Sequence, residues 1–226
     1  MNKLSSCISV LIPAYNVERY IGRCLRSILN QTMPKENYEI IVVNDASADR
    51  TRFALEIFEK DIFVINNQQK FGLPKSLNEG IRQCKGKYII RLDGDDYVNR
   101  EFLNILYLHL EMNSHIDAVA CDYHMVDDYE NILATKSCLE EPIACGIMFR
   151  SEQLIDIGMY DEDFLLREDE DLRIRFLKKH NIHRVQLPLY RYRRHENNIT
   201  NNKERMDEFK IKLESKHNGG ANDKGN

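Results

Sequence analysis

The chain is 226 residues long, 42% hydrophobic and 30% charged, with a formal net charge of −4. That length builds one domain with a sizeable core, or one domain and an appendage. The weakly acidic balance leaves no broad basic surface for nucleic acid, no apolar run approaches a membrane span, and residues 1–6 lack the apolar core of a secretory signal.

The first half alternates two periods. Residues 8–12, Ile-Ser-Val-Leu-Ile, read as a buried strand stopped by Pro13. Helical spacing follows over 17–29, with Ile21, Leu25 and Ile28 on one face. Residues 38–43 form a second β-branched run closed by Asn44-Asp45, and a helix fits 49–60. A third strand covers 62–65. A helix over 74–84 carries Pro74 in its permissive first turn, and a fourth strand covers 87–92. Strands alternating with helices build a parallel sheet covered on both faces, with ligands beyond the carboxyl ends of the strands. The segments at those ends are 13–16, 44–47, 66–72 and 93–96, and they should face one crevice.

The second half changes character. A helix fits 99–112, its Leu/Tyr-rich stretch 102–110 suiting a core or an interface. Strand material lies at 116–126 and 143–149, a short helix at 151–157 and a stronger one at 168–179. Residues 183–192 are extended, with Pro188 suggesting an edge strand. From 201 onward the chain is charged. Residues 204–215 allow a helix with a thin apolar face, and 217–226 have the Gly/Asn/Lys-rich composition of a disordered tail. Six cysteines without a C-x-x-C pair suit reduced thiols in a cytosolic protein, not a disulfide framework or a zinc site.

The densest chemistry is Arg91-Leu92-Asp93-Gly94-Asp95-Asp96-Tyr97, directly after the fourth strand. Three carboxylates in four positions repel one another unless something neutralises them. An all-oxygen set suits Mg²⁺ or Mn²⁺, which leaves positions open for substrate phosphates. Taken alone, a solvated Asp-Gly turn explains the stretch equally well. Asp45, past the second strand, suits a base N–H or sugar hydroxyl, leaving helix capping to Ser47 or Asp49. Pro13-Ala14-Tyr15-Asn16 gains interest only from its place after the first strand. Neither G-x-G-x-x-G nor G-x-x-x-x-G-K-[ST] occurs, which argues against a dinucleotide dehydrogenase and a P-loop enzyme. Glu168-Asp169-Glu170-Asp171 opens a helix, where acids complement the positive end of the dipole. One carboxylate aimed into the crevice could also act as a general base. His195 follows the last extended segment among arginines suited to a diphosphate.

In this order the pieces resemble the family 2 glycosyltransferases. The matching residues are Val10 to Asn16, Ile41 to Ser47, Gly72 with Asn78, Gly80 and Gly86-Lys87-Tyr88, Leu92 to Asp96, Gly158 to Phe164, Glu168-Asp169, and Tyr192 to His195. The resemblance runs from Ile8 to about Thr200. It implies an α/β GT-A (Rossmann-like) fold, a mixed, mainly parallel sheet with helices on both faces. One domain would cover 1–200, its nucleotide-binding half at about 1–98 and its acceptor-side half at 99–200, followed by the tail 201–226.

The same resemblance implies an inverting transferase of hexosyl or N-acetylhexosaminyl groups, from a nucleotide-diphospho-sugar to a glycan or lipid-linked acceptor in polysaccharide or glycoconjugate assembly. Uridine is the favoured base, with guanosine and thymidine open. Pro13, Ala14, Tyr15, Asn16, Asp45, Gly72, Asp93 and Gly94 would line the nucleotide. Asp93 and Asp95 match the D-x-D motif of ribose and metal contacts, and Asp96 is an alternative metal ligand. His195 would approach the metal or diphosphate. Asp169 would be the catalytic base, with Glu168 orienting it or the acceptor. The chain ends soon after the match, so acceptor choice is the least legible property. Peripheral attachment to the cytoplasmic membrane face and oligomeric state are left open. Two other classes compete: a non-catalytic nucleotide-sugar-binding module of a glycan-assembly complex, and a sugar nucleotidyltransferase. The second should carry a Gly/Lys/Arg-rich triphosphate loop where Pro13 to Asn16 stand.

Overall fold

The computed structural model describes residues 7–196 and 198–218. The expected disorder over 219–226 lies outside them. The first half runs β1 (Ile8–Ala14), α1 (Ile21–Leu29), β2 (Tyr38–Asn44), α2 (Thr51–Glu56), β3 (Phe63–Asn66), α3 (Leu73–Gln83) and β4 (Tyr88–Arg91). The second runs β5 (Tyr97–Val98), α4 (Phe102–Met112), β6 (Ala118–Val126), β7 (Ile132–Lys136), β8 (Ile147–Arg150), α5 (Ser151–Asp156), α6 (Glu168–Leu177), β9 (Ile182–Arg193) and α7 (Lys203–Asn218).

All nine strands join one sheet in the order β3-β2-β1-β4-β8-β6-β9-β5, with β7 paired to β6. β3, β2, β1 and β4 are mutually parallel, as are β6 and β9. β8 runs antiparallel between β4 and β6 and joins the two halves. The sheet is buried on both faces because its central strands are apolar at successive positions. Ile8, Val10 and Ile12 of β1 pack toward α1 and α4, whereas Leu11 packs with Ile41 and Val43 toward α3 and α6. Phe102, Leu103, Leu106 and Leu110 are buried, so the apolar stretch of α4 is core.

Pro13 does not stop β1, contrary to expectation. It pairs opposite Val43 inside the strand. The β1–β4 ladder ends at Leu11, whose carbonyl accepts from Leu92 N–H. Two residues on, the donor that proline lacks would point to a side with no partner strand. At Pro188 the expected edge is present on one side: β5 pairs only with Tyr190 and Arg191, so β9 has β6 as its one partner strand there. Pro188 faces Asp122 where the β6–β9 register shifts, and such a bulge needs no ladder donor there.

At the sequence's far end, α7 takes in His217, which the disordered tail had been expected to include. Its thin apolar face suffices: Phe209 and Leu213 bury against Phe164 and Leu166. All six cysteines are free thiols. Among the described residues, no helix is long and apolar enough to cross a membrane.

Candidate active site

The loops leaving β1 and β2 are stitched together. Ser47 Oγ accepts from Asn16 N–H at 3.0 Å, and Asn16 Oδ1 accepts from Ala48 N–H at 2.9 Å. Asn16 and Ala46 both hold left-handed backbone, at φ 54° and 55°. Such backbone in non-glycine residues persists where the surroundings over-determine it. Ser47 is thereby used across the loops, and Asp49 serves the start of α2 by accepting from Thr51 N–H at 2.9 Å. Gly94 closes in from the fourth loop, where a Cβ would stand 3.1 Å from the Pro13 carbonyl oxygen.

Asp45 organises the third loop. Its Oδ1 accepts from Asn67 Nδ2 and Phe71 N–H, and its Oδ2 from Gly72 N–H, all at 2.8 Å. Burial opposes ionisation of this carboxyl, but the hydrogen bonds outweigh it and hold it below the usual carboxylate value. Gly72 has φ 95°, a conformation open to glycine, and a Cβ there would stand 3.0 Å from Leu165 Cδ2. Tyr15 lies half open to solvent with Lys70 Nζ 3.8 Å above its ring.

The three aspartates after β4 point to three different partners. Arg91 forks Asp93, Nε to Oδ1 at 2.6 Å and Nη2 to Oδ2 at 3.1 Å. Cys145 donates its thiol to Asp93 Oδ2 at 2.9 Å, and burial pushes that thiol upward, so it keeps its proton. Asp96 is buried and accepts from Tyr190 Oη and Arg193 N–H, each at 2.7 Å. Burial, with Asp95 and Asp93 adjacent, pushes its carboxyl well above the usual range. Asp95, like Asp93, is partly open to solvent, and its Oδ2 lies 2.9 Å from His195 Nε2. The arginines around His195 are committed elsewhere: Arg193 donates to the carbonyls of Asp95 and Asp127, and Arg191 to that of Pro188.

At the start of α6 the four acids divide. Arg167, left-handed at φ 58°, sets the turn and pairs with Glu170. Asp171, fully buried, binds Arg175, Lys216 and His217. Glu168 is buried against Arg91 at 3.0 Å. Its burial pushes its carboxyl up to about 7; Arg91 pulls it down and Asp169 adds to the rise. Asp169, half-buried, is the one whose carboxylate accepts no hydrogen bond among the described residues. Away from these acids, an open pocket of about 450 Å³ is lined by Asp127, Asp128, Tyr129, Arg194, Glu196 and the His195 that meets Asp95.

The profile of glycosyl transferase family 2 matches residues 9–173. The chain belongs to that family. A relative in Bacillus spizizenii, a poly(ribitol-phosphate) beta-glucosyltransferase, is 44% identical over 100 residues, 42% of this chain and 16% of that protein. The fold is similar to that of S. aureus TarS 1-349 in complex with UDP-GlcNAc, at TM-score 0.76 and 22% identity, covering 91% of this chain and 65% of that one. It is also similar to the mannosyltransferase PcManGT from Pyrobaculum calidifontis in complex with GDP-Man and Mn²⁺, at TM-score 0.74 and 17% identity, covering 95% and 66%. These likenesses establish the GT-A fold. The matched segment spans from 13% to 50% of the length of the curated relatives compared.

For a metal, this family 2 chain offers two sets of donors. Asp93, Asp96 and Cys145 place ligand atoms within 4.8 Å of one another and could hold an ion. In that set Arg91 already covers Asp93, and the sulfur carries a proton. Asp95 with His195 offers oxygen and imidazole nitrogen, a donor pair suited to Mn²⁺. Arg91 and Tyr20 had no role assigned from the sequence. For Arg91 a signal was present: a charge inside an apolar strand demands a partner.

Proposed function

We propose that the chain is the donor-binding and catalytic domain of an inverting glycosyltransferase that moves a sugar from a UDP-sugar to a hydroxyl acceptor of a surface polysaccharide. The observation that carries the reading is the division of labour at α6, where Glu168, Glu170 and Asp171 pair with basic side chains and the Asp169 carboxylate accepts no hydrogen bond among the described residues. The family, the UDP-GlcNAc held by TarS, and the poly(ribitol-phosphate) relative support it.

In this reading Pro13, Ala14, Tyr15, Asn16 and Gly72 line the nucleotide, with the Asp45 carboxylate fixing the Phe71–Gly72 turn and facing the base. Asp93 and Gly94 border the ribose. Asp95 and His195 would hold Mg²⁺ or Mn²⁺, with Asp93, forked by Arg91, beside them. The ion, when bound, neutralises charge on the diphosphate leaving group. Asp169 takes the proton of the acceptor hydroxyl as its oxygen bonds to the anomeric carbon. The bond from that carbon to the diphosphate oxygen breaks on the opposite face, so configuration inverts. Glu168 orients Asp169.

The test is thermal unfolding with UDP, GDP and dTDP, each with and without Mn²⁺, followed by transfer from the matching donor. A ligand that binds only the folded state raises its stability by mass action. UDP should raise the midpoint, more so with Mn²⁺. No shift with any nucleotide would refute the reading. Binding without transfer to polyol-phosphate or glycan acceptors would instead favour a binding module.

A further inference from the structure

Arg91 ends β4, whose other residues, Tyr88, Ile89 and Ile90, are apolar in character and buried. A guanidinium at this depth needs partners, and it has two carboxylates on different parts of the site. Nε and Nη2 fork Asp93 at 2.6 and 3.1 Å, while Nη1 reaches Glu168 Oε1 at 3.0 Å. Among the described residues, no other side chain hydrogen-bonds to both. Asp93 is held on its far side by Cys145, and its backbone N–H donates to Tyr190 Oη at 3.2 Å. Glu168 accepts no other side-chain hydrogen bond among the described residues, so the Arg91 fork is the hydrogen-bonded tie between the first turn of α6 and the end of β4. The Asp169 carboxylate accepts no hydrogen bond among the described residues; Arg173, one turn on, attracts it electrostatically, and its place in the first turn of α6 goes with that of Glu168.

We propose that Arg91 is a positioning residue, a rigid strut that sets the distance between the donor-side Asp93 and the Glu168–Asp169 pair. This rests on the glycosyltransferase reading above. The planar fork matters as much as the charge. Guanidinium meets Asp93 with two parallel hydrogen bonds and still presents Nη1 to Glu168, whereas an ammonium is a point charge on a flexible stem. Without the fork, Asp93 and Glu168 are free to move apart, and the base leaves the position from which it meets the acceptor.

The test uses Arg91→Lys in the full chain, with UDP and Mn²⁺ binding by calorimetry and transfer kinetics on the same preparation. The variant should lose kcat on the order of 10²-fold while UDP affinity stays within about threefold, because misplacing a reacting group costs rate more than binding. Glu168→Gln weakens the same contact from the other side, so the double variant should lose no more than the worse single one. UDP binding by the wild type together with unchanged kcat in Arg91→Lys would overturn the proposal alone. So would fully additive losses in the double variant. A wild-type chain that binds no UDP would instead strike the functional reading beneath it. Should Arg91→Lys fail to fold by circular dichroism, Glu168→Gln alone decides: lowered kcat at unchanged UDP affinity supports the strut, and unchanged kcat overturns it.

Discussion

Tyr20 lies stacked on His195, ring centroids 4.8 Å apart, and the same imidazole places Nε2 2.9 Å from Asp95 Oδ2. Tyr20 is anchored in turn by donating its hydroxyl to Asp128 at 2.9 Å. Residues of the α1 approach, the β6–β7 hairpin and the segment after β9 therefore meet around one imidazole. If Asp95 and His195 hold the metal, Asp95→Ala should abolish the Mn²⁺-dependent part of UDP binding. Tyr20→Ala should weaken it roughly tenfold, as loss of an outer-shell support does. Tyr20→Phe, which keeps the stack, should weaken it less. Calorimetry with and without Mn²⁺ reads all three, and unchanged Mn²⁺ dependence in Asp95→Ala would move the site to Asp93 and Asp96.

Asp169→Asn keeps the size of the side chain and removes its basicity. UDP affinity should be unchanged, and transfer should fall about 10²–10⁴-fold, the usual contribution of a positioned base. Single-turnover kinetics with bound donor measures this. Near-wild-type turnover would take the role away from Asp169.

Asp45→Ala would strip the acceptor from the Phe71 and Gly72 N–H groups and from Asn67. Each buried donor left unsatisfied costs about 1–3 kcal/mol. Denaturant unfolding should show a loss of that order, and UDP binding should fall with it. Because hydrogen bonding holds the Asp45 carboxyl below its ordinary value of 3.8, its contribution is present at neutral pH and is lost as pH falls below that value. The difference between wild type and Asp45→Ala should therefore shrink in acid.

Glu168 has the opposite sign. Burial lifts its carboxyl from 4.5 to about 7, so between those values the folded state holds a proton that the unfolded state has released. Stability should then decline as pH rises through that window, at up to about 1.4 kcal/mol per pH unit, and level off above it. Glu168→Gln cannot titrate. Its unfolding free energy, measured against wild type from pH 5 to 8, should gain on wild type as pH rises. A difference independent of pH would mean that Arg91 keeps Glu168 ionised throughout.

Much of the first half was legible because its signals are local. Continuous apolar runs marked β1 to β4 and period-3.6 spacing marked α1 and α3, and the carboxyl-end rule picked out the loops that Asn16, Ser47, Asp45 and Gly94 prove to join. The second half was less so. β5 has two residues, both buried but too few to show a period, and β7 exposes Ile132 and Leu133, so neither gives a pattern to read. Pro188 signalled a strand side without a partner, but not the bulge opposite Asp122, because a bulge depends on the partner strand, which the sequence does not display.

The chain by itself determined which residue types stand at the strand ends: three aspartates after β4, four acids opening α6, a histidine after β9. It could not say which carboxylate stays free, because that depends on partners brought in from distant positions. Tertiary structure decided that Arg91 takes Asp93 and Glu168, that Tyr190 and the Arg193 backbone take Asp96, and that His195 meets Asp95. A buried charge is settled by whichever opposite charge or donor the fold delivers to it, and that delivery is a property of the assembled sheet.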